Sequence, residues 1–120
     1  MTPPLLDTCT LLWWTLNPKK LSKKATDACQ AIPETGAIVS SISFWEIGTK
    51  VTRGRLNLDM PFETYVERLK TVAKLEISPV TLDIWQTTVS LDWEHRDPCD
   101  RVIVAEAQLR NVPIITCDAK

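Results

Sequence analysis

The chain has 120 residues, of which 44% are hydrophobic and 24% charged, a composition typical of one folded globular domain. Its formal net charge is −1 and its pI is about 5.8, so any surface that binds a polyanion must be a local basic patch. Because the sequence shows neither a secretory signal pattern nor a long apolar run, we expect a cytoplasmic protein that does not contact a membrane.

Short apolar runs alternate with helical patterns in the first half of the chain. Leu5-Leu6 and the run at 37–42 are typical of buried parallel strands. Asn17-Pro18 ends the first helical pattern, and Ser22 is a favourable N-cap for the second. The predicted elements are strands at 5–7 and 37–42 and helices at 8–16, 22–31 and 43–54.

The same alternation continues in the second half of the chain. An amphipathic helix is predicted at 61–73, a strand at 75–80, a helix at 81–93 and a last strand at 113–116. Between the helix at 81–93 and the strand at 113–116, Asp97-Pro98 begins a further helix, since Asp is a favoured N-cap and Pro fits the first helical position. The pattern predicts an α/β fold, a three-layer sandwich with a short, mostly parallel central sheet of about four to five strands flanked by helices.

Acidic side chains stand where several of these elements begin or end. Asp7 and Asp118 each follow a predicted strand, and ligands of open parallel sheets bind at that carboxyl edge. Asp100 falls in the first turn of the helix that Asp97 begins, where the helix dipole favours a carboxylate. We expect Asp7, Asp100 and Asp118 to lie on one rim of the sheet, whereas Asp97 by itself is explained by helix capping.

Glu46 has structural explanations that compete with a chemical one. Ser43 stands three residues before it, which is the spacing of a capping box, and Lys50 stands four residues after it, in the favourable order for a helical ion pair. The residues alone favour these structural roles.

The sequence leaves open whether the basic cluster between 19 and 24 is a solvated surface or contacts phosphate. That cluster consists of Lys19, Lys20, Lys23 and Lys24.

Four cysteines, at positions 9, 29, 99 and 117, form no C-x-x-C pair and no zinc-ligand spacing. The single histidine, His95, precedes the Asp97 helix and is expected to pack or bond locally. We therefore predict that the cysteines are small buried hydrophobes in a reducing compartment.

Four segments, in this order along the chain, resemble PIN-domain proteins, and among them most the VapC-type toxins of bacterial toxin–antitoxin pairs. The segments are Leu-Leu-Asp-Thr at 5–8, Ser-Phe-Trp-Glu-Ile-Gly-Thr-Lys at 43–50, His-Arg-Asp-Pro-Cys-Asp-Arg at 95–101 and Thr-Cys-Asp at 116–118. The third segment resembles a His-Arg-Asp-Pro subgroup of that family. Each segment is a weak signal alone, but the ordered set covers nearly the whole chain.

The resemblance implies an endoribonuclease in which Mg²⁺ or Mn²⁺ activates a water against an RNA phosphodiester bond. By position, the catalytic and metal-binding acids are Asp7, Glu46, Asp100 and Asp118. The auxiliary residues are Asp97, Thr8 and Thr116, and the substrate-binding residues are Lys50, Arg53 and Arg96. A cognate antitoxin and a homodimer are implied as well. Residues 1–120 are expected to be a single PIN-like domain, with no segment left for the family's last helix and strand.

Other classes of α/β protein fit less well. A receiver domain needs paired acids after its first strand and a Lys-Pro near its last, and both features are missing from this sequence. A phosphatase of the haloacid-dehalogenase type needs Asp-x-Asp after the first strand, where this chain has Asp7-Thr8-Cys9. The alternative that remains is a non-catalytic module that binds RNA or a protein partner on the same fold.

Overall fold

A four-stranded, fully parallel sheet forms the centre of the molecule. The structure is a computed structural model that describes residues 2–91 and 97–117. The strands lie in the order β3-β2-β1-β4. Their bounds are β1 Leu5–Leu6, β2 Ala37–Ser40, β3 Leu75–Ser78 and β4 Ile114–Ile115.

Helices cover both faces of this sheet, as the alternating pattern predicts. They are α1 Thr8–Leu16, α2 Lys23–Gln30, α3 Ile32–Thr35, α4 Ser41–Thr52, α5 Phe62–Lys70, α6 Leu82–Ser90 and α7 Pro98–Arg110. The short helix α3 and a 3-10 turn at Pro18–Lys20 were not predicted from the sequence. None of the helices within the described ranges is long and apolar enough to span a membrane.

Strand β1 separates two apolar cores. Leu5 and Leu6 are both fully buried, but they point to opposite faces because successive side chains of a strand alternate. Leu6 packs with residues of α1, α2, α4 and α5, whereas Leu5 packs with Ile103 and Ala107 of α7. The three-layer α/β architecture is therefore confirmed, and β1 is buried on both faces.

The strand order reverses at β1. The chain adds β2 and β3 on one side of β1, and then returns through α7 to place β4 on the other side. In open parallel sheets, such a reversal leaves a crevice at the carboxyl ends of the two neighbouring strands. The residues that follow β1 and β4 therefore stand beside the expected ligand site.

The predicted capping box at Ser43 is wrong. Strand β2 ends at Ser40, whose hydroxyl accepts a hydrogen bond from the Ile42 N–H, so α4 begins two residues before Ser43. Ser43 is instead fully buried inside the first turn of α4. A β-branched, apolar run at 37–42 is compatible with either a strand or a buried helix start, and the tertiary structure decides where one becomes the other.

Glu106 is a buried acid in the middle of α7. It is fully buried, and neither carboxylate oxygen accepts a hydrogen bond in good geometry from the described residues. Burial raises the pKa of this carboxyl, and the nearby hydroxyls of Ser78 and Ser40 and the charge of Arg110 offset that increase only in part. Folding therefore shifts the ionisation equilibrium of Glu106 toward the protonated form.

Replacing Glu106 by Gln should stabilise the protein at neutral and alkaline pH. Because the pKa is raised above its ordinary value of 4.5 in the folded chain, stability declines as pH rises from that value through the folded pKa. Glu106→Gln should raise the free energy of unfolding by about 1 kcal/mol at pH 8 and leave it nearly unchanged at pH 4. Urea denaturation at both pH values measures this, with the exposed Glu67→Gln as control. A uniform gain at both pH values would contradict the prediction.

Candidate metal centre

A pocket of about 270 Å³ opens at the carboxyl edge of the sheet, where β1 meets β4. It lies at the N-terminal ends of α1 and α7 and beside the middle of α4. Its lining residues are Asp7, Thr8, Cys9, Leu12, Trp13, Glu46, Lys50, Asp97, Asp100 and Cys117. Four carboxylates from three separate parts of the chain thus face one small volume.

Asp7 is held in place by hydrogen bonds on both its backbone and its side chain. It is the N-cap of α1, and its Oδ1 accepts a hydrogen bond from the Thr10 N–H at 2.8 Å. Its own N–H donates to the Ile115 carbonyl of β4 at 3.1 Å. The carboxylate is therefore fixed to the end of the sheet and to the positive end of a helix dipole.

Buried hydroxyl groups tie the walls of the pocket together. The Thr8 and Ser43 hydroxyls form a hydrogen bond of 2.8 Å that joins the first turns of α1 and α4. The Thr10 hydroxyl donates to the Ile115 carbonyl at 3.0 Å and joins α1 to β4. The sequence predicted Ser43 to form a capping box with Glu46. Its contact with Thr8 joins two distant segments and cannot be predicted from a local sequence pattern.

Glu46 extends from the middle of α4, and its side chain is 15% exposed. Its Oε2 lies 3.3 Å from Lys50 Nζ, so the predicted ion pair between the two residues is confirmed. Its Oε1 is buried and has no hydrogen-bond partner among the described residues. A buried carboxylate oxygen without a donor is costly unless a cation or water satisfies it.

The start of α7 contributes the other two acids. Asp97 is the N-cap and accepts a hydrogen bond from the Cys99 N–H at 3.0 Å, so its predicted capping role is confirmed. Asp97 also lines the pocket, and one oxygen each of Asp97 and Glu46 and the Cys99 sulfur all lie within 4.8 Å of one another. Asp100 lies in the first turn of α7 and lines the same pocket.

Cys99 stands beneath this cluster as a protonated thiol. It is 4% exposed, and burial, followed by the negative charges of Glu46, Asp97 and Asp100, raises the pKa of the thiol to about 12. Its adjacency to Glu46 is a tertiary contact that the sequence did not reveal. The negative charges of the three carboxylates thus add to the larger effect of burial on this thiol.

The other predicted site residues are distributed differently. Thr8 and Lys50 line the pocket, but Arg53 lies in a separate groove between α4 and α5. Thr116 is exposed after β4 and is not part of the pocket lining. His95, Arg96 and Asp118 lie outside the described residues. Trp13 lines the pocket although it was not predicted as a site residue, and Lys20 Nζ stands 5.6 Å from the centre of its ring.

The prediction that all four cysteines are reduced is wrong for two of them. Cys9 and Cys117 form a disulfide, with Cα atoms 5.9 Å apart, across a sequence separation of 108 residues. They meet because β4 pairs with β1, which brings the residues after β4 to the first turn of α1. Cys29 and Cys99 are buried and free, as predicted.

The donor set of the pocket fits a hard divalent cation. Asp7, Glu46, Asp97 and Asp100 offer carboxylate oxygens, which are the ligands that Mg²⁺ and Mn²⁺ prefer. The buried Oε1 of Glu46 is an acceptor that such a cation would satisfy. Among the described residues of the lining, Lys50 is the only cation, and it balances the charge of the four acids only in part.

Comparison with known proteins gives consistent matches along the chain. The PIN domain family matches residues 5–120. Ribonuclease VapC22 of Mycobacterium tuberculosis is 30% identical over 121 residues, which is 100% of this chain and 90% of the relative.

Two solved structures share the fold. A toxin–antitoxin complex from Klebsiella pneumoniae aligns with a TM-score of 0.62 at 21% identity, covering 94% of this chain and 84% of that one. The sarcin–ricin-loop-cleaving toxin VapC20 of Mycobacterium tuberculosis aligns with a TM-score of 0.59 at 14% identity, covering 90% and 83%. At these identities the two structures support the fold alone.

Divalent cations should stabilise the protein through this pocket. A bound cation relieves the repulsion among the carboxylates and binds the folded chain in preference to the unfolded one. Saturating Mn²⁺ should raise Tm by about 5 °C relative to the protein in EDTA, and Glu46→Gln should remove most of that rise. Differential scanning fluorimetry measures both, with Glu67→Gln on α5 as the control that keeps the full response. An equal Mn²⁺ response in Glu46→Gln would place the cation elsewhere.

Proposed function

The chain belongs to the PIN-domain family, and on that premise we propose that it is a divalent-metal-dependent endoribonuclease, the toxin of a type II toxin–antitoxin pair. The observation that carries the proposal is the meeting of four carboxylates in one pocket, with a buried Glu46 oxygen that has no hydrogen-bond partner among the described residues. The relative named as a ribonuclease matches this chain over its whole length, which supports the same activity here.

The acids of the pocket are assigned to the cation. Asp7, Glu46 and Asp100 would hold Mg²⁺ or Mn²⁺, with Asp97 beside them, and the sequence resemblance adds Asp118 to the set. When bound, the cation supplies positive charge that neutralises the scissile phosphate and lowers the pKa of an attacking water. The capping hydrogen bonds at the N-terminal ends of α1 and α7 keep the carboxylates of Asp7 and Asp97 oriented before substrate arrives.

Residues around the acids suit a single-stranded RNA substrate. Lys50 is 48% exposed at the pocket wall, so its ammonium group can contact a phosphate while it remains near Glu46. Trp13 presents an aromatic ring to the pocket, and Lys20 brings an exposed cation to that ring. Basic and aromatic side chains that alternate beside a cleft are typical of single-strand binding, and Lys20 favours the phosphate-contacting role for part of the lysine cluster.

The partners follow from the same family assignment. We propose that a cognate antitoxin binds the chain and that the active form is a homodimer. A structural neighbour from Klebsiella pneumoniae is itself a toxin–antitoxin complex, which supports an antitoxin partner for this fold. The acidic pocket with its partly unbalanced charge is a surface to which a basic segment of such a partner would be attracted.

Replacing Asp100 by Asn should abolish cleavage while the fold is retained. The substitution removes one negative charge from the cation site but keeps the size of the side chain, so RNA cleavage with Mg²⁺ or Mn²⁺ should fall at least about a hundredfold. The assay uses total tRNA, rRNA and mRNA with either metal or with chelator. Asp83→Asn, an exposed first-turn acid of α6, is the matched control and should cut as the parent does.

Two results would contradict this assignment. Cleavage by Asp100→Asn at the parental rate would exclude Asp100 from the site. RNA binding without metal-dependent cleavage in the parent itself would favour the non-catalytic binding module on the same fold.

Replacing Lys50 by Gln should weaken substrate binding more than turnover. Loss of one phosphate contact should raise KM several-fold. It should also reduce the slope of log RNA affinity against log salt concentration by about the contribution of one phosphate. Lys70→Gln is the matched control, because Lys70 also forms an ion pair on a helix surface, with Glu67 at 3.0 Å, but lies on α5 away from the pocket. A fall in kcat with unchanged KM would instead assign Lys50 to positioning Glu46.

A further inference from the structure

The Cys9–Cys117 disulfide is part of the pocket wall. Cys9 lies in the first turn of α1, two residues after Asp7, and Cys117 lies two residues after β4. Both line the same pocket as the carboxylates. The bond therefore joins α1 covalently to the segment that follows β4, at the point where the strand order reverses.

The pairing that this bond reinforces is short. Strand β4 contains two residues, and its neighbour β1 also contains two. The Leu5 and Asp7 N–H groups donate to the carbonyls of Pro113 and Ile115 at 2.8 and 3.1 Å. Since so short a strand pair is held by few hydrogen bonds, a cross-link just beyond it restricts how far the two pocket walls can separate.

We propose that Cys9 and Cys117 form a reversible thiol–disulfide site that controls the metal centre, with the oxidised form binding the divalent cation more tightly. The inference rests on the proposed function, because it concerns the same carboxylates. These acids repel one another without a cation, so a wall free to move can relax away from the geometry that binds metal. The disulfide opposes that relaxation and keeps the pocket organised.

Formation of the Cys9–Cys117 disulfide needs an oxidant of the low-molecular-weight disulfide class, such as glutathione disulfide. One cysteine thiolate attacks a sulfur of that disulfide, forming a mixed disulfide and releasing one glutathione thiolate. The second cysteine thiolate then displaces the other glutathione and closes the Cys9–Cys117 bond. The protein loses two electrons and two protons, and two molecules of reduced glutathione carry them away.

The other two cysteines are poorly placed for this reaction. Cys9 and Cys117 are half-buried and face an open pocket, whereas Cys29 and Cys99 are 6% and 4% exposed. Burial raises the pKa of the Cys29 thiol to about 11, and that of Cys99 reaches about 12, so both remain protonated and unreactive. In a reducing compartment Cys9 and Cys117 would be free thiols, and a change to more oxidising conditions would form the disulfide.

The test compares the reduced and the oxidised full chain. Protein is reduced with a phosphine and freed of it without oxygen, or oxidised with glutathione disulfide, and maleimide labelling with mass spectrometry counts the thiols in each form. Oxidation should protect two cysteines from labelling and raise Tm by about 10 °C. It should also lower the Kd for Mn²⁺, measured by titration calorimetry in the absence of RNA, about tenfold.

Variants separate this bond from the other thiols. Cys9→Ser and Cys117→Ser should both resemble the reduced protein in Mn²⁺ affinity and should not respond to oxidant. Cys29→Ala is the control that keeps the response. Equal Mn²⁺ affinity in the two forms of the parent, or a full response in Cys9→Ser, would overturn the inference while the proposed function stands. An absence of Mn²⁺ binding in both forms would overturn the proposed function together with it.

Discussion

Carboxylates that share a small pocket repel each other, and helix N-termini are what hold them there. Asp7 and Asp97 are the N-caps of α1 and α7, and Asp100 lies in the first turn of α7. Backbone N–H groups and the positive end of each helix dipole stabilise the negative charges and keep the side chains oriented. Three of the four acids that line the pocket therefore stand at helix starts, which couples the local fold to the chemistry of the site.

Glu46 is held by a different kind of contact. It stands in the middle of α4, where the backbone N–H groups are used within the helix, and one of its oxygens pairs with Lys50. The other oxygen is buried and has no hydrogen-bond partner in the part of the chain that the structure describes. Burial and, after it, the charges of Glu46, Asp97 and Asp100 raise the pKa of the Cys99 thiol beneath it. A bound cation would satisfy this buried oxygen of Glu46.

Local signals in the sequence predicted the elements well and their junctions less well. The Asp97-Pro98 start of α7 and the bounds of α1 are confirmed, because capping and proline geometry act within a few residues. The helix start at Ser43 was wrong, because the residues between 37 and 42 are compatible with a strand or a helix. The buried contact of Ser43 with Thr8, 35 residues away, is one that a single helix start does not encode.

The sequence by itself determined the alternation of strands and helices, the parallel sheet and the positions of acids beside the ends of elements. Periodicity and capping are short-range properties, so they are readable from neighbouring residues. Only the tertiary structure decided that β4 returns to the far side of β1. That return brings Cys117 to Cys9 beside Asp7, whereas the packing of α7 against α4 places Asp97 next to Glu46 in the acidic cluster. Contacts between distant segments depend on strand order and packing, which local sequence patterns do not specify.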